Sequence, residues 1–553
     1  MRQANLGLFD HNSLVRHLEI AEEYSGDTSR KSLSQKNTGK FYTPPEIALP
    51  LIEQVLKILN LNTKNGMVSI IDPFCGDGRL LRWLIAKIDN HNLALDIHLW
   101  DYDQESVSRA HSEVLKAAQG CNAKIKVFSK QTDSFSEFFK GYQEKFDLVI
   151  TNPPWEVVKP DSKELSDLNE KSKKEYIASL KDFSDRLIAD FPLAKPAKSY
   201  GGWGVNLARV GTELSLKLLK AGGIAALVTP STIFADQTSS TIRRWIFDEN
   251  DIKYLNIFPA ELKLFIGVDQ PSVSFILERS ATQKKLEIIN YSNSSPQKIV
   301  LDDVHALLKK TDYVLPVSMA TNKDQLEVLT SLSHLPQLSD FEHDKKMWLG
   351  RELDETNHKT WLSLTGRYKF IKGRNIDRFS LEKKSDIFIN ESLVKALPTS
   401  INYHRIVWRD VSRPTQKRRV IATMLPPGYA TGNSLGVLHI HNSTDQFQLE
   451  FLLGLLSSFV FEFQLRAHLA TAHISAGVMK KMRVPKWSAD MEQNISKLVK
   501  NRLAGDIQAE EKLEVLIAKS YGLNRGQFGN VLSAFPKVTL AEKNALLSNR
   551  IWQ

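Results

Sequence analysis

The sequence predicts an α/β protein with a mostly parallel, doubly wound sheet, followed by a mixed α+β region and a helical C-terminal segment. Between Met67 and Thr151, short apolar runs alternate with amphipathic helical patterns. Strands and helices that alternate at this interval are joined by right-handed crossovers, which make the sheet parallel. The alternation stops after about Arg279, and a charged helical pattern returns from Glu492 to Trp552.

Each predicted element rests on its own apolar pattern. The strands are predicted at Val68–Asp72, Leu95–Trp100, Ile125–Phe128, Phe146–Ile150, Gly223–Val228, Tyr254–Phe258 and Val273–Leu277. The helices are predicted at Val15–Tyr24, Ile47–Ile58, Arg79–Ile88, Gln104–Ala118, Phe135–Phe139, Leu207–Leu219 and Phe451–Phe463. Boundaries near residues 40, 285 and 490 divide the chain into 1–40, 41–285, 286–490 and 491–553.

Composition excludes several classes of protein. The chain has 553 residues, and its 73 lysines and arginines exceed its 63 acidic residues by 10. That excess suits a polyanionic partner but does not demand one. Cys75 and Cys121 cannot support a disulfide framework, and no apolar stretch approaches the ~20 residues that span a bilayer. We therefore expect a cytoplasmic protein, neither secreted nor membrane-bound.

A glycine-rich turn follows the first predicted strand. Asp72–Gly78 reads D-P-F-C-G-D-G and includes Phe74, Gly76 and Gly78. Glycines let a backbone turn tightly and approach a ligand closely at the carboxyl edge of such a sheet. The turn is not the dinucleotide fingerprint, because Leu81 stands where the third glycine would be. An ordinary strand-to-helix turn remains the alternative.

Acidic residues follow the second and third strands. Asp101 ends the second strand, where a carboxylate can accept hydrogen bonds from a ribose diol, and Tyr102 could lie against an adenine ring. Asp133, in Thr132–Ser134, could accept from an adenine amino group. The alternative for Asp103 and Asp133 is a helix N-cap, which is compatible with a ligand nearby.

The most informative motif is Asn152–Trp155, N-P-P-W, at the end of the fourth strand. Pro153 and Pro154 remove two backbone donors and keep Asn152 out of the helical region. The result is a rigid corner that presents the Asn152 side-chain oxygen and backbone carbonyls beside the Trp155 ring. Such a corner is suited to hold a planar amine by accepting from both its hydrogens.

In this order, these motifs resemble the class I S-adenosylmethionine-dependent methyltransferases. More narrowly, they resemble the DNA adenine-N6 methyltransferases whose catalytic motif precedes the recognition domain, the gamma arrangement. The motifs that carry the resemblance are Phe41–Pro45, Asp72–Gly78, Trp100–Asp103, Thr132–Ser134 and Asn152–Trp155. The resemblance is strong over residues 40 to 280. It continues more weakly, at Lys372–Ile376 and Arg405–Asp410, toward the specificity domains of TaqI-like and Eco57I-like restriction-modification methylases.

The resemblance implies a Rossmann-like catalytic domain at 41–285 and a DNA target-recognition domain at 286–490. It also implies S-adenosylmethionine as the cofactor. Thr43 would contact the methionine carboxylate, Asp101 the ribose, Tyr102 the adenine ring and Asp133 the adenine amino group. The residues that would cradle the methionine and sulfonium end are Asp72, Phe74, Gly76 and Gly78.

The same resemblance implies roles at the Asn152 corner. Asn152 and Pro153 would hold the target amine, Trp155 would stack on the target base, and an aromatic residue would cover its other face. Phe265 is our candidate for that second ring, with Phe258 as a competitor. No metal is expected, because no cluster of histidine, cysteine and carboxylate has metal-ligand spacing. Catalysis would therefore rest on positioning and dipoles.

A basic stretch from His404 to Val420 predicts contacts to double-stranded DNA, since its only acid is Asp410. A solvated basic face is the alternative. The candidate DNA contacts are Arg405, Arg409, Arg413, Lys417, Arg418 and Arg419. A separate restriction endonuclease is a further expected partner, and we expect a monomer or weak dimer.

Several other functions stay open at the level of sequence. One is a methyltransferase of the same fold that acts on RNA or on protein glutamine. Another is the modification subunit of a multi-subunit restriction enzyme, and a third is a catalytically inactive DNA-binding relative. A fused nuclease is disfavoured, because Pro160-Asp161 and Lys163-Glu164 lie in a polar insertion rather than in a strand pair. The choice of adenine over cytosine rests on the resemblance alone.

Overall fold

The computed structural model divides the chain into two compact units, Met1–Thr321 and Asn322–Gln553. The structure describes residues 42–161, 165, 168–197, 203–265, 268, 270–292, 295–319, 321–344, 346–354, 359–382, 385–413, 415–441, 446–469 and 471–553. The predicted helix Val15–Tyr24 and the extension 1–40 lie outside the described residues.

One large sheet organises the first unit. Its strands are β1 Gly66–Asp72, β2 Leu93–Asp101, β3 Lys124–Gln131, β4 Phe146–Thr151, β5 Leu219–Pro230, β6 Asn250–Phe258, β7 Ser272–Arg279, β8 Leu286–Tyr291 and β9 Pro296–Leu301. Their order across the sheet is β3-β2-β1-β4-β5-β7-β6-β8-β9. β7 runs antiparallel to both neighbours and β9 antiparallel to β8. The seven predicted strands all lie within observed ones, and every strand pairing from β3 to β5 is parallel.

Helices connect these strands. They are α1 Pro45–Leu59, α2 Arg79–Ile85, α3 Gln104–Gln119, α4 Ser134–Glu137, α5 Glu170–Asp190, α6 Leu207–Leu218, α7 Thr232–Ala235, α8 Ser240–Glu249 and α9 Val304–Lys310. Successive residues of the central strands, such as Ile70 and Ile71 of β1, are both fully buried. Side chains alternate between the two faces of a strand, so both faces of the sheet are covered, as in other doubly wound folds.

The predicted boundary near residue 285 is wrong, because the sheet continues beyond it. β8 pairs in parallel with β6, and β9 pairs with β8, so the first unit extends to Thr321. β8 and β9 form a hairpin with no helix between them. The strand–helix alternation therefore ends at Arg279 while the sheet does not.

The second unit contains two small sheets and a set of helices. Its strands are β10 Met347–Gly350, β11 Leu362–Ser363, β12 Lys369–Ile371, β13 Phe388–Ile389, β14 Arg405–Arg409, β15 Ala422–Leu425, β16 Tyr429–Thr431 and β17 Leu435–Ile440. The orders are β10-β17-β14-β15 in one sheet and β11-β13-β12-β16 in the other. The helices are α10 Lys323–Ser331, α11 Gln446–Ser457, α12 Phe459–His468, α13 Ala476–Met479, α14 Ala489–Leu503, α15 Gln508–Ser520, α16 Arg525–Ser533 and α17 Leu540–Leu547.

The C-terminal helices are an integral part of this unit, so the predicted boundary near residue 490 does not separate a compact segment. α14 packs closely on α11 at Gly454, where a Cβ would lie 2.8 Å from Ile495 Cγ2 and 3.0 Å from Val499 Cγ2. Only glycine allows two helices to approach so closely at that point.

The single buried helix predicted at Phe451–Phe463 is two helices, α11 and α12, bent by 59° at Ser458. The Ser458 hydroxyl caps α12 by accepting from the Phe461 N–H, so the polar residues in this apolar run mark a helix boundary. In the part of the chain that the structure describes, no single helix is long and apolar enough to span a membrane, although this bent pair meets the length and composition test.

The prediction that Arg405, Arg418 and Arg419 contact DNA is wrong, because their side chains are buried. Arg405 on β14 forms an ion pair with Glu352, whose Oε1 lies 2.7 Å from the Arg405 Nε, and both side chains are fully buried. Arg419 donates to the carbonyls of Ser412 and Thr471, at 3.0 and 2.7 Å.

Arg418 lies between two carboxylates from distant helices. Its Nε is 3.0 Å from Glu462 on α12, and its Nη1 is 3.1 Å from Glu514 on α15. Burial opposes charge on the guanidinium, yet the two carboxylates hold the pKa of Arg418 above its ordinary value. The basic stretch shows few acids because its partners, including Glu352, are remote in sequence.

The three remaining predicted DNA contacts differ in their exposure and in their partners. Arg409 is half-buried and donates to the carbonyls of Gly373, at 2.8 Å, and Ile376. Lys417 is exposed but pairs with Glu542 at 2.5 Å. Arg413 is exposed. The alternative of a uniformly solvated basic face is also wrong, since most of these cations are structural.

Candidate active site

The predicted site residues cluster where the carboxyl ends of β1, β2 and β4 meet. β1 lies between β2 and β4, so the chain leaves β1 toward one side of the sheet and returns on the other. Such a topological switch point opens a crevice outside the strand ends, where doubly wound folds bind ligands. The glycine turn and the Asn152 corner both border this crevice.

The turn after β1 requires its glycines. Gly76 and Gly78 have φ values of 52° and 78°, which side chains rarely adopt. A Cβ on Gly78 would lie 2.8 Å from the Ala110 Cα of α3, and one on Gly76 would lie 3.3 Å from the Tyr42 ring. The turn therefore packs closely between α3 and the segment before α1.

Asp77 and Arg79 hold this turn to the segment that carries Thr43, a role that the sequence analysis missed. The Arg79 guanidinium pairs with Asp77 at 2.6 Å and donates from Nη1 to the Thr43 carbonyl at 3.2 Å. Thr43 is buried. A carboxylate and an arginine two residues apart at a helix start are the only sequence signal for this clamp.

Asp101 is fixed at the end of β2. Its Oδ2 accepts from the Gly76 N–H at 2.9 Å and its Oδ1 from the Asp103 N–H at 3.0 Å. The neighbouring Tyr102 is 81% exposed, so its ring is available at the crevice edge. Asp103 caps α3 by accepting from the Ser106 N–H at 2.8 Å, as the alternative interpretation predicted.

Asp133 is the N-cap of α4. It accepts from the Phe135 N–H at 3.1 Å and from the Ser136 hydroxyl at 2.6 Å. The Arg186 guanidinium, from α5, lies 3.5 Å from its Oδ2. The N-cap alternative is therefore confirmed, and an additional ligand contact from Asp133 stays a prediction.

Asp72 links the glycine turn to the Asn152 corner. Its Oδ1 lies 2.6 Å from the Thr151 hydroxyl at the end of β4, and the same oxygen accepts from the Phe74 N–H at 3.1 Å. Burial raises the pKa of Asp72 from 3.8 to about 7, and these hydrogen bonds oppose only part of the rise.

A close contact from α6 supports the Asn152 corner. A Cβ on Gly211 would lie 2.5 Å from the Pro153 Cβ and 3.2 Å from the Phe74 ring. Gly211 therefore lets the helix pack directly beneath Pro153, while Pro154 is partly exposed. Gly211 was not predicted as a site residue, although a glycine inside a helical pattern often signals such close packing.

The Trp155 side chain is buried against the Asn152 corner. Its indole Nε1–H donates to the Asn152 Oδ1 at 2.8 Å, and only 8% of the residue is exposed. The Phe265 ring lies edge-to-face with the indole, at 4.6 Å between centroids. Phe258 instead stacks on Tyr291 at 4.9 Å, so Phe265 is the candidate that accompanies Trp155.

Histidines and carboxylates do not form a metal site among the described residues. His439 and His441 lie ring against ring at 4.9 Å, and burial is the main cause that lowers the pKa of His439 to about 4. His473 instead pairs with Asp410 at 2.8 Å.

Comparison with known proteins shows which family this site resembles. The family model for N-6 DNA methylases matches residues 29–182, which include the glycine turn, Asp101, Asp133 and the Asn152 corner. This part of the chain is therefore similar to N-6 DNA methylases. S-adenosylmethionine is the cofactor that this similarity implies.

Two Type II methyltransferases are similar to part of this chain. The Type II methyltransferase M.VspI of Vibrio sp. (strain 343) is 28% identical over 162 residues, which are 28% of this chain and 36% of that protein. M.PstI of Providencia stuartii is 20% identical over 308 residues, or 51% of this chain and 59% of that protein. The chain thus spans less than two thirds of either relative.

A solved structure extends the likeness of fold. The Type IIL restriction-modification enzyme MmeI, solved in complex with DNA, matches with a TM-score of 0.50 and 11% identity over 97% of this chain and 78% of that one.

S-adenosylmethionine fits the residues at the switch point. The glycine turn brings its backbone to the crevice with no Cβ in the way, and Asp72 is a buried carboxyl group that a cationic ligand would stabilise in its charged form. Asp101 keeps further acceptor capacity, because an ionised carboxylate offers about four lone-pair sites.

The raised pKa of Asp72 predicts a pH-dependent stability. Because the folded-state pKa of about 7 exceeds the ordinary 3.8, the folded protein keeps a proton that the unfolded chain releases between these values. The free energy of unfolding therefore falls as pH rises through this window and is level above it. Asp72→Asn has no carboxyl group to titrate at this position. The free energy of unfolding of Asp72→Asn minus that of wild type should therefore increase from pH 4 to 7.

Urea unfolding midpoints at pH 4, 5, 6, 7 and 8 would measure the difference between wild type and Asp72→Asn. The exposed Asp182→Asn serves as the control for the loss of one carboxylate. A difference for Asp72→Asn that stays constant with pH would contradict the raised pKa.

Proposed function

We propose that the protein is a site-specific DNA methyltransferase. It transfers a methyl group from S-adenosylmethionine to the exocyclic N6 amine of an adenine that is flipped out of duplex DNA. The observation that carries the proposal is the Asn152–Pro153 corner, which borders the same crevice as the glycine turn and is joined to it by Asp72 and Thr151. The protein would serve as the modification enzyme of a restriction-modification or phage-defence system, with a separate endonuclease as partner.

The corner can activate a weak nucleophile. An aromatic amine reacts poorly because its lone pair is delocalised into the ring. The Asn152 Oδ1 and the Pro153 carbonyl would accept from its two N–H groups, which favours tetrahedral nitrogen and localises the lone pair. The bound cofactor supplies an electrophilic methyl group on a sulfonium. The proton leaves to solvent after transfer, so positioning and fixed dipoles provide the catalysis.

The cofactor would be held by the residues of the switch point. Thr43, Phe74, Gly76 and Gly78 line its methionine end with Asp72, whose carboxyl would ionise against the cationic cofactor. At the other end, Asp101 would accept from the ribose hydroxyls, Tyr102 would cover the adenine, and Asp133 would accept from the adenine amino group.

Base flipping costs a few kcal/mol, and stacking on an aromatic face offsets part of it. Trp155 is the proposed stacking surface, with Phe265 on the other side of the base. Their rings contact each other at 4.6 Å between centroids, so a base between them requires the two rings to separate.

The DNA-contact surface of the second unit cannot be the basic stretch as a whole, because Arg405, Arg418 and Arg419 are buried and only some of its cations are exposed. We place it at the carboxyl end of β14 and call it the β14-end surface, formed by the exposed Arg351, Arg374, Arg413 and His473. Arg351 and His473 flank the buried Asp410, at 2.9 and 2.8 Å from its oxygens.

Two further contacts hold the loops of the β14-end surface together. Val411 forms a β-bridge with His473, and the Gly373 carbonyl, beside Arg374, accepts from Arg409 Nε at 2.8 Å. Four exposed basic side chains around one neutralised acid suit phosphate contacts.

The proposed activity can be tested by expressing the chain in a methylation-free host and sequencing the genome for modified bases. We expect N6-methyladenine at one recurring motif. Asn152→Ala removes an acceptor of the target amine, so methylation should fall by at least about a hundredfold.

Calorimetry with S-adenosylmethionine provides the control, since Asn152→Ala should bind the cofactor as wild type does. The absence of modified bases from the methylation-free host that expresses the wild-type protein would contradict the proposal. Heat of cofactor binding without DNA methylation would favour an RNA or glutamine substrate, and no heat would favour an inactive DNA-binding relative.

A pair of arginine variants separates DNA contact from structure. Arg413→Ala should weaken DNA binding, lower the slope of log K against log salt by about 1, and change the free energy of unfolding by no more than ~0.5 kcal/mol. Arg405→Ala leaves Glu352 buried and unpaired, so the free energy of unfolding should fall by ~3–5 kcal/mol.

Fluorescence anisotropy on a duplex at several salt concentrations, together with urea unfolding, measures both quantities. An Arg405→Ala protein that is as stable as wild type but binds DNA weakly would mean that Arg405 is a DNA contact after all.

A further inference from the structure

The indole of Trp155 identifies which end of the Asn152 side chain faces it. The two ends of an asparagine amide have nearly the same shape, so shape alone does not decide between them. An indole Nε1–H can only donate a hydrogen bond. The Asn152 atom 2.8 Å from it must therefore be the acceptor, Oδ1, rather than the amide nitrogen.

The orientation of this amide decides whether the proposed chemistry works. The carbonyl end accepts from the N–H of a target amine, whereas the Nδ2 end would present two donors to that amine. Two donors facing each other repel. The Asn152 side chain is thus productive in one of two orientations that fit the corner almost equally well.

We propose that Trp155 is a positioning residue whose indole N–H holds the Asn152 carbonyl in the orientation that accepts from the target amine. A carbonyl oxygen has two lone pairs, so Oδ1 can accept from Trp155 with one and from the amine with the other. This role is distinct from stacking on the base, and it rests on the proposed function.

The surroundings of Trp155 fit this role. The residue is buried, and its ring is held on a second side by Phe265, so the N–H is aimed by packing as well as by its acceptor. Because the indole is tied to Asn152, Phe265 is the ring that moves when a base enters. Loss of the Phe265 ring should therefore affect base binding more than amine activation.

Trp155→Phe tests the proposal, because phenylalanine keeps an aromatic face and lacks the N–H. We expect kcat to fall about tenfold to a hundredfold, as for the loss of one hydrogen bond that orients a catalytic group. KM for DNA should change by less than about threefold. Fluorescence of 2-aminopurine at the target position, which reports flipping, should rise as in wild type.

Two matched variants isolate the N–H. The isosteric β-(3-benzothienyl)alanine, placed at position 155 alone, replaces the N–H by sulfur and keeps the ring shape, so it should lower kcat as Trp155→Phe does. Trp245→Phe removes an indole N–H that donates to Glu249 at 3.0 Å on α8, and it should leave kcat unchanged. Phe265→Leu should raise KM and reduce the 2-aminopurine signal with a smaller effect on kcat.

A readout without turnover tests the hydrogen bond itself. The Trp155 indole proton, identified by its loss in Trp155→Phe, should move upfield in the NMR spectrum of Asn152→Ala. Wild-type kcat in the benzothienyl protein, or an indole proton that ignores Asn152→Ala, would overturn the inference. If wild-type protein methylates no DNA, the proposed function fails, and the NMR result still decides whether Trp155 orients Asn152.

Discussion

The parallel pairing of β1 with β4 is the constraint on which the site depends. Ile70 and Ile71 pair with Leu148 and Val149, so the two strands end side by side at Asp72 and Thr151. The hydrogen bond between those residues, 2.6 Å long, joins the glycine turn to the Asn152 corner. A one-residue change of register would turn Asp72 to the other side of the sheet and separate the two motifs.

Ion pairs between arginines and glutamates connect the loops and helices of the second unit. Arg418 lies between Glu462 and Glu514, and Arg378 pairs with Glu510 at 2.6 Å. The Arg418 cluster is buried, and the pair of Arg378 and Glu510 is half-buried. Charges that are removed from water persist only when they are paired and hydrogen-bonded, and removal of one partner is costly. These arginines lie in loops and thus tie those loops to helices α12 and α15. The proposed DNA contacts are the exposed cations around Asp410.

The sequence predicted the parallel strands and the two central motifs because these depend on local pattern. Apolar runs mark buried strands, and glycines and prolines mark turns whose backbone few other residues allow. The clamp from Asp77 and Arg79, the packing of Gly211 on Pro153 and the burial of Arg405 were not predictable in this way. Each depends on a contact with a residue that is remote in the chain or on close packing that only the fold creates.

The difference between local sequence pattern and contacts remote in the chain also explains why the predicted domain boundary near residue 285 was wrong. The sequence showed that the strand–helix alternation ends near Arg279. It did not show that β8 and β9 join the sheet, because they do so by pairing with β6 and with each other, without an intervening helix. The hydrogen bond from Trp155 to Asn152 joins residues only three apart in the sequence. The motif N-P-P-W nevertheless predicts only an aromatic ring at position 155, and not the direction of its N–H.

The most direct test of the central claim is a structure of the protein with duplex DNA and a cofactor analogue that cannot transfer its methyl group. We expect the flipped adenine to place its N6 within hydrogen-bond distance of both the Asn152 Oδ1 and the Pro153 carbonyl. We also expect the carboxyl edge of β1 to line the analogue. A corner turned away from the target amine, or an amine held by other acceptors, would contradict the central claim.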